Sequence, residues 1–376
     1  MAIQFSTATY QHSSGLPIKA GQNLYLAEKM AIMALSIGIT GLSQSGKSTL
    51  FKSLTCLSES DVSGRKQPLA RAAVPDERLQ RLSDIFKPKK TTPATVDFLD
   101  MPGGGSSGLG SQAVAEIRTS TLLLEVVRCF SHPYLEGVDP LSDVDSFETE
   151  LLLADLKVVE GKLERAKKLD PKERALLESL AKPLNDGDIA AVPQFDEEEK
   201  KILSGLGLLC IKPRIVVANI SENDIEDGGP HYKALKELCD KRGTPCLAIS
   251  AEIEAQLADL SEDERVEFMA DLGINESGLN RLISVCYKKL GLQTFFTAGE
   301  DECRAWTTKV GAKAPEAAGE IHSDLQRGFI RAEVIDYPTF IECGSLNIAK
   351  EKGLLRVEGK DYVVKDGDIL NIRFNV

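Results

Sequence analysis

Residues 41–48 read Gly-Leu-Ser-Gln-Ser-Gly-Lys-Ser and fit the pattern G-x-x-x-x-G-K-[ST] at every fixed position. Glycine lets a backbone curl tightly and turn its N–H groups toward phosphate oxygens. An apolar run over residues 35–40 precedes the loop, and a helical pattern from Lys47 to Leu54 follows it. Because the motif requires a strand before it and a helix after it, this context predicts a phosphate-binding loop at the start of an α/β domain.

The loop and a second element supply the predicted phosphate and metal ligands. In this pattern the lysine reaches the β- and γ-phosphates and the next hydroxyl ligates Mg²⁺. Asp100 ends an apolar strand and begins a D-x-x-G element that closes at Gly103, whose N–H would meet the γ-phosphate. We expect Mg²⁺ to be held by Ser48 and by Asp100, directly or through water. The predicted phosphate-binding residues are Gly41, Gln44, Ser45, Gly46, Lys47, Ser48, Thr49 and Gly103.

Two later strand ends predict a site for a nucleotide base. Asn219-Ile-Ser-Glu222 stands where GTPases have N-K-x-D, whose aspartate reads guanine, but this chain has Ile220 for the lysine and a longer carboxylate at Glu222. Residues 250–252, Ser250, Ala251 and Glu252, would close the base pocket. A longer acid reads a different base edge, so the ligand at this point is either ATP or GTP.

The pattern outside the loop predicts the domain organisation. Apolar strands alternate with helical stretches, which favours a doubly wound, mostly parallel α/β sheet over residues 34–145 and 210–292. Residues 146–209 interrupt this rhythm with helical patterns and predict an inserted antiparallel helical hairpin. Residues 293–376 carry short alternating segments and turn signals, typical of a small α+β unit. Residues 1–33 are polar and non-periodic, which predicts either a disordered extension or a true start at Met30 or Met33.

Composition excludes several classes of protein. The chain has 376 residues and a formal net charge of −12, which disfavours bulk attraction to nucleic acid. No apolar run approaches the roughly 20 residues needed to span a bilayer. The eight cysteines form no C-x-x-C pair, so no zinc site is expected, and buried reduced thiols suit a cytoplasmic protein.

These motifs together resemble the YchF subfamily of the Obg-like P-loop NTPases over about residues 35–376. The resemblance rests on the phosphate loop, residues 74–79 and 127–130, the Asn219 and Ser250 elements, and C-terminal runs such as 295–299 and 328–333. The C-terminal unit is similar to a TGS domain, a β-grasp fold. Membership implies a helical insertion, binding and hydrolysis of ATP in preference to GTP, and association with ribosomes or translation factors.

The chain departs from that family where catalysis is controlled. Gln44 replaces an asparagine associated with potassium binding, the glycine-rich loop 104–108 is shorter, and residues 58–68 lack threonine. The family's catalytic histidine has only His132 as a counterpart, at a different place, so the catalytic residue stays unassigned. We therefore expect slow ATP hydrolysis. The alternatives are a catalytically eroded module acting through its helical arm and TGS domain, and a GTPase.

Overall fold

The computed structural model describes residues 35–56, 69–101, 109–132, 134, 137–165 and 169–375. The predicted extension over residues 1–33 lies outside these ranges, as does Gly103. The described part forms two six-stranded sheets with helices packed around them.

The first sheet confirms the predicted α/β architecture. Its strands are β1 (Ser36–Thr40), β2 (Leu69–Ala73), β4 (Thr95–Asp100), β5 (Leu122–Cys129), β6 (Arg214–Ile220) and β7 (Cys246–Ile249), in the order β2-β4-β1-β5-β6-β7. All neighbours are parallel except the edge strand β2, which runs antiparallel to β4. The central strands β1 and β5 are almost wholly buried, as their continuous apolar sequences require.

Helices connect the strands of this sheet and pack against it. They are α1 (Lys47–Cys56), α2 (Glu77–Phe86), α3 (Ser111–Ile117), α7 (Gly229–Lys241), α8 (Ala251–Asp259), α9 (Glu262–Asp271) and α10 (Gly278–Lys289). The α1 and α8 helices pack against each other. Side-chain caps fix several helix starts, such as Asp76 on α2 and Ser250 on α8.

The inserted helices form the predicted arm. The long helix α4 (Pro140–Arg165) packs along α5 (Pro171–Asp186), followed by a 3-10 turn (Ile189–Ala191), α6 (Glu197–Leu203) and a second 3-10 turn (Ser204–Leu206). Leucines of α4, α5 and α6 form a separate apolar cluster. The predicted start of the insertion at residue 146 lies inside α4, whose first half packs on the sheet.

The second sheet occupies the C-terminal part of the chain and takes one strand from the N-terminal half. Its strands are β3 (Lys90–Thr92), β8 (Leu292–Ala298), β9 (Glu302–Lys309), β10 (Phe329–Asp336), β11 (Arg356–Glu358) and β12 (Asp368–Phe374), in the order β11-β10-β12-β8-β9-β3. Four short helices accompany them: α11 (Ala314–Ile321), α12 (Ser323–Arg327), α13 (Tyr337–Cys343) and α14 (Leu346–Glu351). The mixed sheet agrees with the predicted β-grasp unit.

A cluster of charged and aromatic side chains joins the two sheets. Arg78 on α2 donates to Asp366 of the C-terminal unit (2.7 Å) and to Asp76 (2.7 Å), and its guanidinium lies 5.3 Å from the ring centroid of Phe296. These carboxylates raise the pKa of the Arg78 guanidinium above its ordinary value. One apolar core runs from β1 into β8 and β12, so the sheets share their interior.

None of the described helices is long and apolar enough to cross a membrane.

Candidate nucleotide-binding site

The loop between β1 and α1 has the backbone that its glycines permit. Gly41, Gln44 and Gly46 have φ values of 131°, 63° and 93°. A Cβ on Gly41 would lie 2.4 Å from the carbonyl oxygen of Val126, and a Cβ on Gly46 would lie 2.1 Å from Nδ2 of Asn219. Left-handed backbone and close approach therefore both require glycine at these two positions. In the described part, Gln44 and Lys87 are the two non-glycine residues with positive φ.

Lys47 lies folded over this loop. Its Nζ donates a hydrogen bond to the carbonyl oxygen of Leu42 (2.5 Å), and the residue is only 8% exposed. Burial lowers the pKa of Lys47, and the nearby Asp100 carboxylate opposes that shift. Burial likewise raises the pKa of Asp100, and Lys47 opposes it. The pairing of Ile39 with Asp100 in neighbouring parallel strands brings the carboxylate to the edge of the sheet where the loop begins.

The expected metal ligands have the chemistry that Mg²⁺ prefers. Ser48 is exposed in the first turn of α1, and Asp100 ends β4, so a hydroxyl and a carboxylate are available as oxygen donors. Within the described ranges no three His, Cys, Asp or Glu side chains are grouped as a metal cage, zinc sites included. Mg²⁺ usually takes one or two protein oxygens and completes its shell with water and phosphate, so this sparse donor set fits.

The remaining loop residues divide between buried and accessible positions. The hydroxyls of Ser45 and of Thr40, the last residue of β1, are buried, and neither has a hydrogen-bond partner in the described part. Thr49 is half-buried in α1, where its carbonyl oxygen accepts from Ser53 Oγ (3.1 Å). Thr40 was not among the predicted residues, because nothing in an apolar strand distinguishes a site hydroxyl from one that fills the sheet.

Asn219 joins the phosphate loop to the predicted base element. The residue is 5% exposed at the end of β6. Its Nδ2 donates to the carbonyl oxygen of Ser45 (3.0 Å), and its Oδ1 accepts from the N–H of Ala251 (3.0 Å). Both ends of the amide are thus engaged by protein backbone. Asn219 therefore connects the two loops through its side chain, and its base-binding role stays a prediction.

The other predicted base residues lie on two neighbouring turns. Ser250 is buried and caps α8 by accepting from the N–H of Ile253 (3.5 Å), Ala251 is buried behind it, and Glu252 is exposed. Glu222 is exposed in the 3-10 turn Glu222–Asp224, where its Oε1 accepts from Nε2 of Gln256 (3.0 Å). Sequence reasoning missed Gln256, because 34 residues separate it from its partner.

His132 lies on the exposed loop after β5. Its Nδ1 accepts from the N–H of Tyr134 at 3.4 Å, and the two rings are 5.7 Å apart between centroids. Among the described contacts, this local turn accounts for the orientation of the imidazole. Gly103, the predicted γ-phosphate contact, lies outside the described residues.

Comparison with known proteins places this site in a family. A family model described as YchF-GTPase_C, protein of unknown function (DUF933), matches residues 292–375. The protein called ribosome-binding ATPase YchF of Bacillus subtilis (strain 168) is 40% identical over 369 residues, which cover 92% of this chain and 100% of the relative. The protein of the same name from Escherichia coli O157:H7 is 40% identical over 367 residues, with the same coverage.

A solved structure supports the same assignment over nearly the whole chain. The YchF GTPase of Schizosaccharomyces pombe superposes with a TM-score of 0.81 at 29% identity, covering 90% of this chain and 97% of that one. The phosphate loop, the two-sheet fold and full-length relatives at 40% identity lead to one conclusion: the chain belongs to the YchF family of P-loop NTPases.

Proposed function

We propose that this protein binds ATP with Mg²⁺, hydrolyses it slowly and associates with the ribosome. The observation that carries the proposal is the phosphate loop: two glycines in left-handed backbone, with the buried Lys47 ammonium folded across them. Relatives named ribosome-binding ATPase support the choice of nucleotide and partner. A ribosomal partner also agrees with the cytoplasmic location expected from the cysteine pattern.

The chain's own groups divide the work of binding. Backbone N–H groups of the loop and the N-terminus of α1 favour an anion. The Lys47 side chain would exchange its bond to the Leu42 carbonyl for the β- and γ-phosphates, while Ser48 and Asp100 would hold Mg²⁺, which neutralises charge on those phosphates. Asn219 keeps the phosphate loop and the start of α8 at a fixed separation, so that Glu222 and the turn at residues 250–252 can receive the base.

Slow turnover follows from the groups that would position water. Phosphoryl transfer depends on an oriented nucleophile and on charges placed around the γ-phosphate. The candidate His132 lies on an exposed loop, and within the described ranges its imidazole accepts from the backbone N–H of Tyr134, with no carboxylate there to orient it as a base. We therefore propose an enzyme whose rate depends on its partner.

Phosphate release tests this function directly. Purified protein is incubated with Mg-ATP, with and without ribosomes, beside a Lys47→Ala variant. We expect low turnover that rises with ribosomes and disappears in the variant. An absence of turnover under both conditions, with ATP binding retained, would favour the alternative of a nucleotide-binding module that works without catalysis. An absence of binding by calorimetry at millimolar ATP would overturn the proposal altogether.

GTP is the second candidate ligand, favoured by the Asn219 element and by the description of the S. pombe relative as a GTPase. Competition between ATP and GTP for the purified protein separates the two. A tenfold preference for ATP, about 1.4 kcal/mol, would exclude GTP as the main ligand.

A further inference from the structure

We infer that Gln256 is a specificity-determining residue, which favours adenine by fixing the orientation of the Glu222 carboxylate. The inference rests on the proposed function, since it concerns the base end of the same site. Gln256 lies on α8, and its Nε2 donates to Glu222 Oε1 over 3.0 Å. No sequence motif includes this residue.

The backbone holds the two partners in a defined relation. Glu222 follows β6 by two residues, and Gln256 lies in the second turn of α8. Asn219, at the end of β6, accepts from the N–H of Ala251, the first residue of α8 (3.0 Å). The cap from Ser250 fixes the same helix start. The contact between Gln256 and Glu222 therefore joins α8 to the turn after β6, two elements that the hydrogen bond between Asn219 and Ala251 already connects.

The bases differ in how many donors they present to a carboxylate. The Watson–Crick edge of guanine carries two adjacent donors, N1–H and N2–H₂, which a carboxylate accepts with both oxygens in a bidentate pair. Adenine presents one donor group, N6–H₂, beside the N1 acceptor, so a single free oxygen is enough. The bond from Gln256 to Oε1 restrains the orientation of the Glu222 carboxylate without using up its acceptor capacity. One bond to adenine can form in that orientation, whereas guanine must align both oxygens with its edge.

The side-chain amide of Gln256 is neutral, so it adds no opposite charge to the Glu222 carboxylate, which can still accept a hydrogen bond from the base. A lysine or arginine in its place would neutralise Glu222, whereas a glutamine orients it through one hydrogen bond. Guanine must turn the carboxylate against that bond to gain its second contact, whereas adenine need not. Because a single exposed hydrogen bond contributes modestly, we expect the resulting discrimination to be about threefold to tenfold.

Binding of fluorescent ATP and GTP analogues, each with Mg²⁺, tests the inference. In Gln256→Ala and in Gln256→Met, which keeps the side-chain length, the ratio Kd(GTP)/Kd(ATP) should fall by about threefold to tenfold, mainly through tighter GTP binding. The matched control is Gln80→Ala, because Gln80 makes a similar exposed bond to Asp84 (2.9 Å) on α2 and should leave the ratio unchanged.

The outcomes separate this inference from the proposed function. If the unmodified protein binds neither analogue, the proposed function fails. If it binds ATP and both Gln256 variants keep the original ratio, the function stands and the inference is overturned. An equal loss of ATP and GTP affinity in both variants would also overturn it, because Gln256 would then support the site without reading the base.

Discussion

Replacing Asn219 with alanine tests the connection between the phosphate loop and the base element. The amide is buried and makes two hydrogen bonds of 3.0 Å, one to the Ser45 carbonyl and one from the Ala251 N–H. Alanine removes both and leaves a carbonyl and an N–H unsatisfied inside the fold. The same change removes the side chain whose Nδ2 lies against Gly46, so the loop loses the contact that fixes its path.

The expected cost follows from the number of groups left without partners. Each buried backbone group deprived of its partner costs about 1–3 kcal/mol. Two such groups give a loss of unfolding free energy of about 2–6 kcal/mol, less if water enters from the open edge of the site. Asn219→Asp keeps an oxygen to accept from Ala251 but turns a second oxygen toward the Ser45 carbonyl, so it should be destabilising as well.

Urea unfolding and calorimetric titration with Mg-ATP measure the two consequences. We expect both Asn219 variants to unfold at lower urea and to bind ATP at least tenfold more weakly. Asn371→Ala is the control, because Asn371 makes an exposed bond to Glu333 on the second sheet and should change neither quantity. If Asn219→Ala loses less than about 1 kcal/mol and keeps its ATP affinity, the bridge is not what holds the two loops together.

Three further changes have definite expected outcomes. Gly46→Ala should abolish ATP binding in calorimetry, because its φ of 93° and the 2.1 Å approach of Asn219 Nδ2 leave no place for a methyl group. Arg78→Ala should lower the free energy of unfolding in urea by about 1–3 kcal/mol, since, among the described contacts, Asp76 and Asp366 lose the guanidinium and keep only backbone N–H donors. Lys89→Ala, whose ion pair is exposed, should have no measurable effect. Burial raises the pKa of Glu125 to about 7 from 4.5, so the folded state binds more protons than the unfolded state and the free energy of unfolding should fall as pH rises between these values. Glu125→Gln should flatten that part of the plot of urea midpoint against pH. An unchanged slope would contradict the raised pKa of Glu125.

The first sheet was predictable because its signals are local. Apolar strands buried on both faces carry continuous apolar sequence, and the glycine pattern of residues 41–48 demands left-handed backbone that the structure contains at Gly41 and Gly46. Neighbouring parallel strands then bring their carboxyl ends together, so Lys47, Asp100 and Asn219 converge on one edge without any further information.

The second sheet could not be fully predicted from local sequence patterns. Its strand β3 has only three residues, Lys90–Thr92, with no apolar alternation, and it is defined by pairing with β9 more than 200 residues later. The sequence pattern predicted a C-terminal unit starting at residue 293, yet the sheet of that unit includes β3. Likewise, the contact of Gln256 with Glu222 depends on the relative placement of two turns, which sequence spacing does not encode.

One apolar cluster includes residues from the base of the helical arm and from the phosphate loop. Leu42 of the loop packs against the cluster that contains Met101, which follows Asp100, and Phe147 and Leu151 of α4. Two hydrogen bonds also join α4 to residues outside the arm. The Leu109 N–H donates to Glu150 (3.3 Å), and Arg118 donates to the Ala154 carbonyl (3.0 Å). Close-packed interiors transmit displacement because they contain little free volume. The strand end that carries Asp100 and the base of the arm therefore meet in one packed cluster.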